Sequence, residues 1–385
     1  MRRYIIMANY TPDLLKPGMV TQTRVTTQNG QLLVEENTVL TARLINRIRF
    51  YRVPEISIIA EEPEESNPAP SDSVPNEPEQ PVMKTQPSGL LNNSSFSQKL
   101  KQDEAFKQQQ ISYLFLTNKL KSCLLDIVNN HADVNFAELL TLTEELFRSK
   151  QTSIELLNFL YSVRGVNDSV YAHSLNVAVI SRMIGRWLHL DAHDLNALTV
   201  AGLLHDIGKL SIPEDVLNKP GKLTDEEFQL IREHPRLGYD LLKNQEIDSR
   251  IKKAALMHHE RCDGSGYPSH LTEDTIDSFA QIIAISDVYD AMTAARSYRN
   301  PLCPFQVIAK FEEEGFQKYH TRYILTFLQH IASTYQNSRA ILNDGRGCNI
   351  IMLNSNALSK PIIQFDDNTC LDLSSQSELY IKTLN

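Results

Sequence analysis

Seven side chains of metal-ligating type sit within or beside otherwise apolar helical patterns of this 385-residue chain, and that placement restricts the fold more than any other feature. His205-Asp206 closes the run Leu198, Val200, Ala201, Leu203 and Leu204; His173 precedes Val177 and Ile180; His258-His259 follows Ala254, Ala255 and Leu256; Asp287 follows Ile282, Ile283 and Ile285. A polar group on a buried helix face needs a partner. Alone, a buried His next to an Asp reads as a satisfied structural pair. Together with His173, His234, His258, His259 and Asp287 on separate predicted helices, it requires a bundle whose helices aim these side chains at one interior point. Imidazole nitrogens and carboxylate oxygens suit Fe, Mn, Ni, Zn or Co. Seven candidate ligands exceed the needs of one ion that must keep positions open for water and substrate, so a pair of ions sharing one carboxylate is the economical arrangement. Asp206, beside a ligand His, is the best bridge.

The strings around these residues are specific. His205-Asp206-Ile207-Gly208-Lys209, then Glu233-His234-Pro235, then His258-His259-Glu260-Arg261-Cys262-Asp263-Gly264-Ser265-Gly266-Tyr267-Pro268 resemble, in content and order, the HD-GYP branch of the HD phosphohydrolases. The resemblance runs from about Asn167 to Phe327. It implies that His173, His205, Asp206 and Asp287 hold one divalent ion while His234, His258 and His259, sharing Asp206, hold the other, with iron or manganese in first place and nickel, zinc or cobalt as alternatives. It further implies hydrolysis of cyclic di-GMP to linear pGpG and/or GMP, by a hydroxide bridging the ions, with Asp206 and Lys209 as catalytic residues. Lys209, one turn beyond His205-Asp206, can reach a phosphate oxygen and offset developing charge. Arg296 and Arg299 fall where the family places bases that grip the dinucleotide phosphates, a solvated surface position being the other reading. Where some family members carry a Glu for a third ion, one turn before His173, this chain has the neutral Ser169. Two rivals remain open: a catalytically silent cyclic-dinucleotide sensor or adaptor, and a hydrolase of mixed cyclic GMP-AMP.

The Gly264-Ser265-Gly266 string is turn chemistry, a rigid loop beside His258-His259. It lacks the third glycine and the preceding strand of a dinucleotide-binding fingerprint. His131, His189, His193, His270, His320 and His330 join no cluster, and Trp187 and the leucine stripes read as core.

Around the helical unit the pattern changes. Residues 1–60 read as a small α/β module: Asn29-Gly30 joins two short strands in a hairpin, Thr41 caps a helix to about Tyr51, and Ile56 to Ile59 supply a third strand. Residues 61–95, rich in Pro, Glu, Ser and Asn, read as a disordered acidic linker. A helical lead-in occupies 96–150, the catalytic domain 151–336, and a short β appendix 337–385. The fold class is thus mainly α.

Of the net charge of −9, residues 61–90 carry −6, which leaves the folded parts only mildly acidic and offers no footprint for duplex nucleic acid. No apolar run is long enough to span a membrane. The apolar run after Met1-Arg2-Arg3 is too short for a signal peptide. Five scattered cysteines without a CxxC pair point to a reducing cytoplasm. A signalling-protein partner or a homodimer is left open.

Overall fold

The computed structural model describes residues 6–26, 32–41, 44–45, 48–49, 53–60, 104–149, 152–163, 169–219, 221–294 and 301–384. The chain divides into two compact units, Met1–Lys99 and Leu100–Asn385.

In the first unit, β1 (Ile6–Tyr10), β5 (Ile56–Ala60) and β2 (Val20–Thr21) form an antiparallel sheet with β5 in the centre, while β3 (Val25–Thr26) and β4 (Leu32–Val34) pair separately. Ile56 and Ile58 are buried and alternate with Ser57 and Ile59, the period-two pattern of a half-covered strand. The expected third strand therefore exists, but it pairs with β1 and β2 and not with the hairpin. β1 is no shorter than β5, but Ala8 and Asn9 interrupt its apolar pattern, so it does not stand out before its partner is known. The Asn29-Gly30 turn lies outside the described residues. Thr41 Oγ1 accepts from Leu44 N at 3.3 Å, as a cap should, and residues 44–45 and 48–49 are helical.

The second unit is mainly helical. It opens with α1 (Glu104–Asn130), α2 (Phe136–Ser149), α3 (Ser153–Val163), α4 (Val170–Trp187) and α5 (Ala192–Leu204). On α1, Tyr113, Leu116, Thr117, Leu120, Leu124 and Ile127 are buried, the stripe expected of one covered helix face. On α5 every residue from Ala197 to Leu204 is buried, so this helix forms the middle of the unit and is apolar all round. Then follow a 3-10 segment (Ile207–Ser211), α6 (Glu214–Leu217), α7 (Asp225–Arg232), α8 (His234–Leu242), α9 (Ser249–Met257) and α10 (Ser278–Thr293). Side chains cap the key helix starts: Ser169 on α4, Asp191 on α5, Asp248 on α9, Asp277 on α10, and Thr224 with Glu227 as a capping box on α7. Each such cap is worth about 1 kcal/mol. Trp187 is half-buried and stacks on His330 with ring centroids 4.7 Å apart, so it lies at the edge of the core and not within it.

Helices α11 (Pro304–Lys310), α12 (Phe316–Lys318) and α13 (Thr321–Thr334) complete the helical part, with a π-helical turn at Phe311–Gly315. The chain then builds an antiparallel sheet of order β10-β6-β7-β8-β9, from β6 (Arg339–Leu342), β7 (Gly347–Met352), β8 (Ile362–Phe365), β9 (Cys370–Asp372) and β10 (Ile381–Leu384). Strand β9 is polar and mostly outside the core, which hides it from a hydrophobicity reading. Glu312 of the π-helical turn joins the sheet's β7–β8 connection to the helices, accepting from Leu358 N at 2.6 Å and from the Ser359 hydroxyl.

Candidate metal centre

Each ligand-type side chain is presented by a helix end or a buried helix face. His205 caps the C-terminus of α5, and Asp206 leads into the 3-10 segment that carries Lys209. A Cβ on Gly208 would lie 2.0 Å from the His234 carbonyl oxygen, so only glycine lets this segment press its backbone against the start of α8. That contact brings Asp206 to His234. His258 caps the end of α9 and His259 follows it; Asp287 projects from α10, and His173 from the first turn of α4.

These side chains converge in two groups, Asp206 with His234, His258 and His259, and His173 with His205 and Asp287. Within each, one ligand atom per residue lies within 4.8 Å of the others. Asp206 joins them. Its Oδ1 is 3.2 Å from His234 Nε2 and 3.5 Å from His258 Nε2, while its Oδ2 is 3.4 Å from His205 Nε2 and 3.6 Å from His173 Nε2. His173 Nε2 also lies 3.1 Å from Asp287 Oδ1.

The far side of each ring fixes its tautomer. His205 Nδ1 faces the Gly202 carbonyl at 2.8 Å, His234 Nδ1 that of Ile231 at 2.7 Å, and His258 Nδ1 that of Ala255 at 3.0 Å. A carbonyl can only accept, so each Nδ1 carries the proton and each Nε2 turns a lone pair inward. His234 and His258 thereby oppose two lone pairs at 3.1 Å, with Asp206 Oδ1 between them. His205 Nε2 and Asp206 Oδ1 are buried without a hydrogen-bond partner. Converging buried acceptors repel unless a cation lies among them; this donor set fits a divalent metal.

The electrostatics agree. Burial opposes charge on Asp206, yet Lys209, His205 and His234 hold its carboxyl well below the usual range. Burial likewise opposes charge on Asp287, and His173 holds it low. Burial, with His205 and His234 nearby, pushes His258 down to about 4, and burial beside His258 also holds His259 well below the usual imidazole range, so both rings are neutral, as ligands must be. His173 differs: burial lowers its pKa, but hydrogen bonds to Asp287 and Asp290 outweigh it and raise the value to about 9. Lys209 Nζ sits 2.6 Å from Asp206 Oδ2, at the centre of the site.

The loop after His259 is held from within. Glu260, buried, accepts from Ser269 N at 2.7 Å and Leu271 N at 2.9 Å, and a Cβ on Gly266 would fall 2.4 Å from the Glu260 Cα. Tyr267 stacks on His259 at 4.7 Å and carries the Arg232 guanidinium on its ring at 4.5 Å.

The model of the HD domain family matches residues 136–322, and the Gly-Tyr-Pro loop packs directly on the metal-ligand type His259. The chain carries an HD domain of the HD-GYP type. A cyclic di-GMP phosphodiesterase of Pseudomonas aeruginosa is 35% identical over 181 residues, 47% of this chain and 44% of that protein. Another, from Thermotoga maritima, is 34% identical over 178 residues, 46% of this chain and 48% of that protein. A 3'3'-cGAMP-specific phosphodiesterase of Vibrio cholerae is 32% identical over 184 residues, 47% of this chain and 35% of that protein. The chain thus spans less than half the length of each of these relatives.

All seven expected ligand-type residues of the HD-GYP domain meet in one place. Arg296 and Arg299 lie outside the described residues. Ser169 is not inside α4 but is its N-cap, and its hydroxyl accepts from Ala172 N at 3.2 Å. His193 lies with Asp191 and Asp194 on the surface, where Asp191 caps α5 and Asp194 pairs with Arg250 at 2.8 Å. Sequence reasoning missed Asp290, whose Oδ2 meets His173 Nδ1 at 2.8 Å. Its only signal is its place one helical turn beyond Asp287. It also gave no role to Glu260, whose signal is its place in the His-His-Glu string.

Proposed function

We propose that the HD-GYP domain is a metal-dependent phosphodiesterase that hydrolyses cyclic di-GMP to pGpG and/or GMP. The observation that carries this reading is Asp206, whose two carboxylate oxygens face the two ligand groups separately. His173, His205 and Asp287 would hold one divalent ion and His234, His258 and His259 a second, with Asp206 shared. Iron or manganese is favoured. Bound as a pair, such ions lower the pKa of water and neutralise charge on a phosphodiester. Around them, the inward Nε2 lone pairs and two ionised carboxylates form a preorganised anionic and neutral shell, so no proton has to leave His258 or His259. Lys209, 21% exposed, supplies a positive charge where a phosphate oxygen would gain negative charge. Arg296 and Arg299 would hold the dinucleotide phosphates.

The Vibrio cholerae relative supports a second substrate, the mixed cyclic GMP-AMP. The silent-sensor reading is disfavoured because no ligand position is replaced. Ser169, neutral and engaged in capping, offers no third-ion carboxylate, so we propose two ions per chain. All five cysteines are free, which supports a cytoplasmic location.

The test uses purified full chain loaded anaerobically with Mn²⁺ or Fe²⁺, given cyclic di-GMP or 3'3'-cGAMP, with products separated by chromatography and metal counted by elemental analysis. Expected are two ions and cleavage of cyclic di-GMP to a linear dinucleotide or mononucleotide. A chain holding two ions that leaves both substrates intact overturns the phosphodiesterase reading.

A further inference from the structure

Helix α1 lies ahead of the segment that the family model matches, residues 136–322, yet it reaches toward the metal centre. Tyr113, 1% exposed, donates from its hydroxyl to Asn176 Oδ1 at 2.7 Å. Asn176 Nδ2 donates to Asp290 Oδ1 at 3.1 Å, and Asp290 Oδ2 meets His173 Nδ1 at 2.8 Å. The members come from three helices: Tyr113 from α1, Asn176 and His173 from α4, and Asp290 from α10. Tyr113, Asn176 and Asp290 are all buried.

The direction of every bond in this row is fixed by chemistry. Asp290 can only accept, so Asn176 must turn its NH₂ toward it, and the amide oxygen must then face Tyr113, whose O–H is the donor. Rotating the amide by half a turn would set an oxygen against the carboxylate and an NH₂ against a phenol. With Asn176 held this way, Asp290 keeps one oxygen for His173, its Nδ1 keeps the proton, and Nε2 points at Asp287 and Asp206. The phenol can also swing to the Ala172 carbonyl at 3.3 Å, which would release the amide. We infer that Tyr113 is a positioning residue of the metal centre, acting through Asn176 and Asp290 on the orientation of His173. This rests on the metal-binding part of the function proposed above. It makes α1 part of the site's scaffold, not merely a lead-in to it.

The experiment measures Mn²⁺ affinity of the chelator-stripped full chain by titration, for wild type, Tyr113→Phe, Asn176→Ala, the double variant and Phe159→Leu. Phe keeps the ring that packs edge-on to Phe159 at 5.8 Å and deletes only the hydroxyl. Partners that directly orient a metal-bound ligand are worth about 10- to 100-fold in affinity; two bonds further out, Tyr113→Phe should weaken the tighter-affected site by about 3- to 10-fold. In the Asn176→Ala background the same change should add nothing, because the route is already cut. Phe159→Leu, which disturbs the packing alone, should lower thermal stability and leave Mn²⁺ affinity unchanged. In the metal-free chain, the ring-nitrogen NMR shifts of His173 should move in Tyr113→Phe and stay put in Phe159→Leu. Unchanged affinity and unchanged His173 shifts in Tyr113→Phe would overturn the inference, as would full additivity with Asn176→Ala. Because turnover is not the readout, a chain that binds Mn²⁺ yet cleaves no cyclic dinucleotide counts against the proposed activity and leaves this comparison decisive.

Discussion

At the scale of single residues, two substitutions separate holding the ions from using them. Asp206 turns one oxygen to each ligand group, so Asp206→Ala should remove most metal content and all measurable hydrolysis, read by elemental analysis and product chromatography. Near-normal metal content in that variant would mean that the two groups do not share a ligand. Lys209→Ala should keep its metal and lose about a hundredfold in turnover, the usual loss when a charge stabiliser is removed. Its ammonium pairs with Asp206 Oδ2, so a modest change in ion affinity is compatible with that role, whereas unchanged turnover is not. The proposed ligands were legible because histidines and aspartates inside apolar helices are chemically conspicuous. Asp290 was not, since nothing in its own helix tells which residue of α4 it will meet. Tyr113 and Asn176 were harder still. An isolated phenol and amide on two helices acquire their roles only when the crossing of α1, α4 and α10 is known.

Elements whose partners are local were readable, and those defined by distant partners were not. The Thr41 cap and the apolar α5 follow from residues a few positions apart. Strand β1 and the polar β9 exist because of β5 and β8, and their own composition does not announce them. The π-helical turn at Phe311–Gly315 is of the second kind, and it places Glu312 in the join between helices and sheet. Burial pushes the Glu312 carboxyl up to about 7, even though Ser359 and the backbone of Leu358 and Ser359 donate to it. A folded-state pKa above the unfolded value of about 4.3 means that the native state binds the proton more tightly. The native form is therefore favoured most below about pH 4.3, and this contribution is lost as pH rises through about 7. Glu312→Gln, which cannot ionise, should lack this loss. The stability of the variant relative to wild type should rise between pH 5 and pH 8, measured by urea unfolding of both chains across that range. A difference that is flat with pH would show that Glu312 ionises normally within the join.

For the whole molecule, the division at Lys99 and Leu100 places every proposed ligand, Tyr113 and the C-terminal sheet in one unit. The sequence reading put an acidic linker at 61–95, a stretch that lies outside the described residues, so the boundary is argued from what each side can bury. The unit from Leu100 has its own core, in which Leu120, Leu175, Leu198, Ile283 and Phe327 are essentially inaccessible to water. A unit with a contiguous core of this size should fold without help from residues 1–99. The fragment 100–385 should therefore be soluble, and its metal centre should report its own integrity. An ion that binds only the folded state stabilises it by about 2.7 kcal/mol at a hundredfold excess over Kd, and for a unit of a few hundred residues that is a rise in Tm of about 5–10 °C. Fragment and full chain should show the same Mn²⁺-induced rise, reversed by chelator, in calorimetry on both. If the fragment is folded but shows no rise while the full chain does, the N-terminal unit contributes to the metal centre. If the fragment does not fold at all, residues 1–99 complete its core, and the boundary has to move.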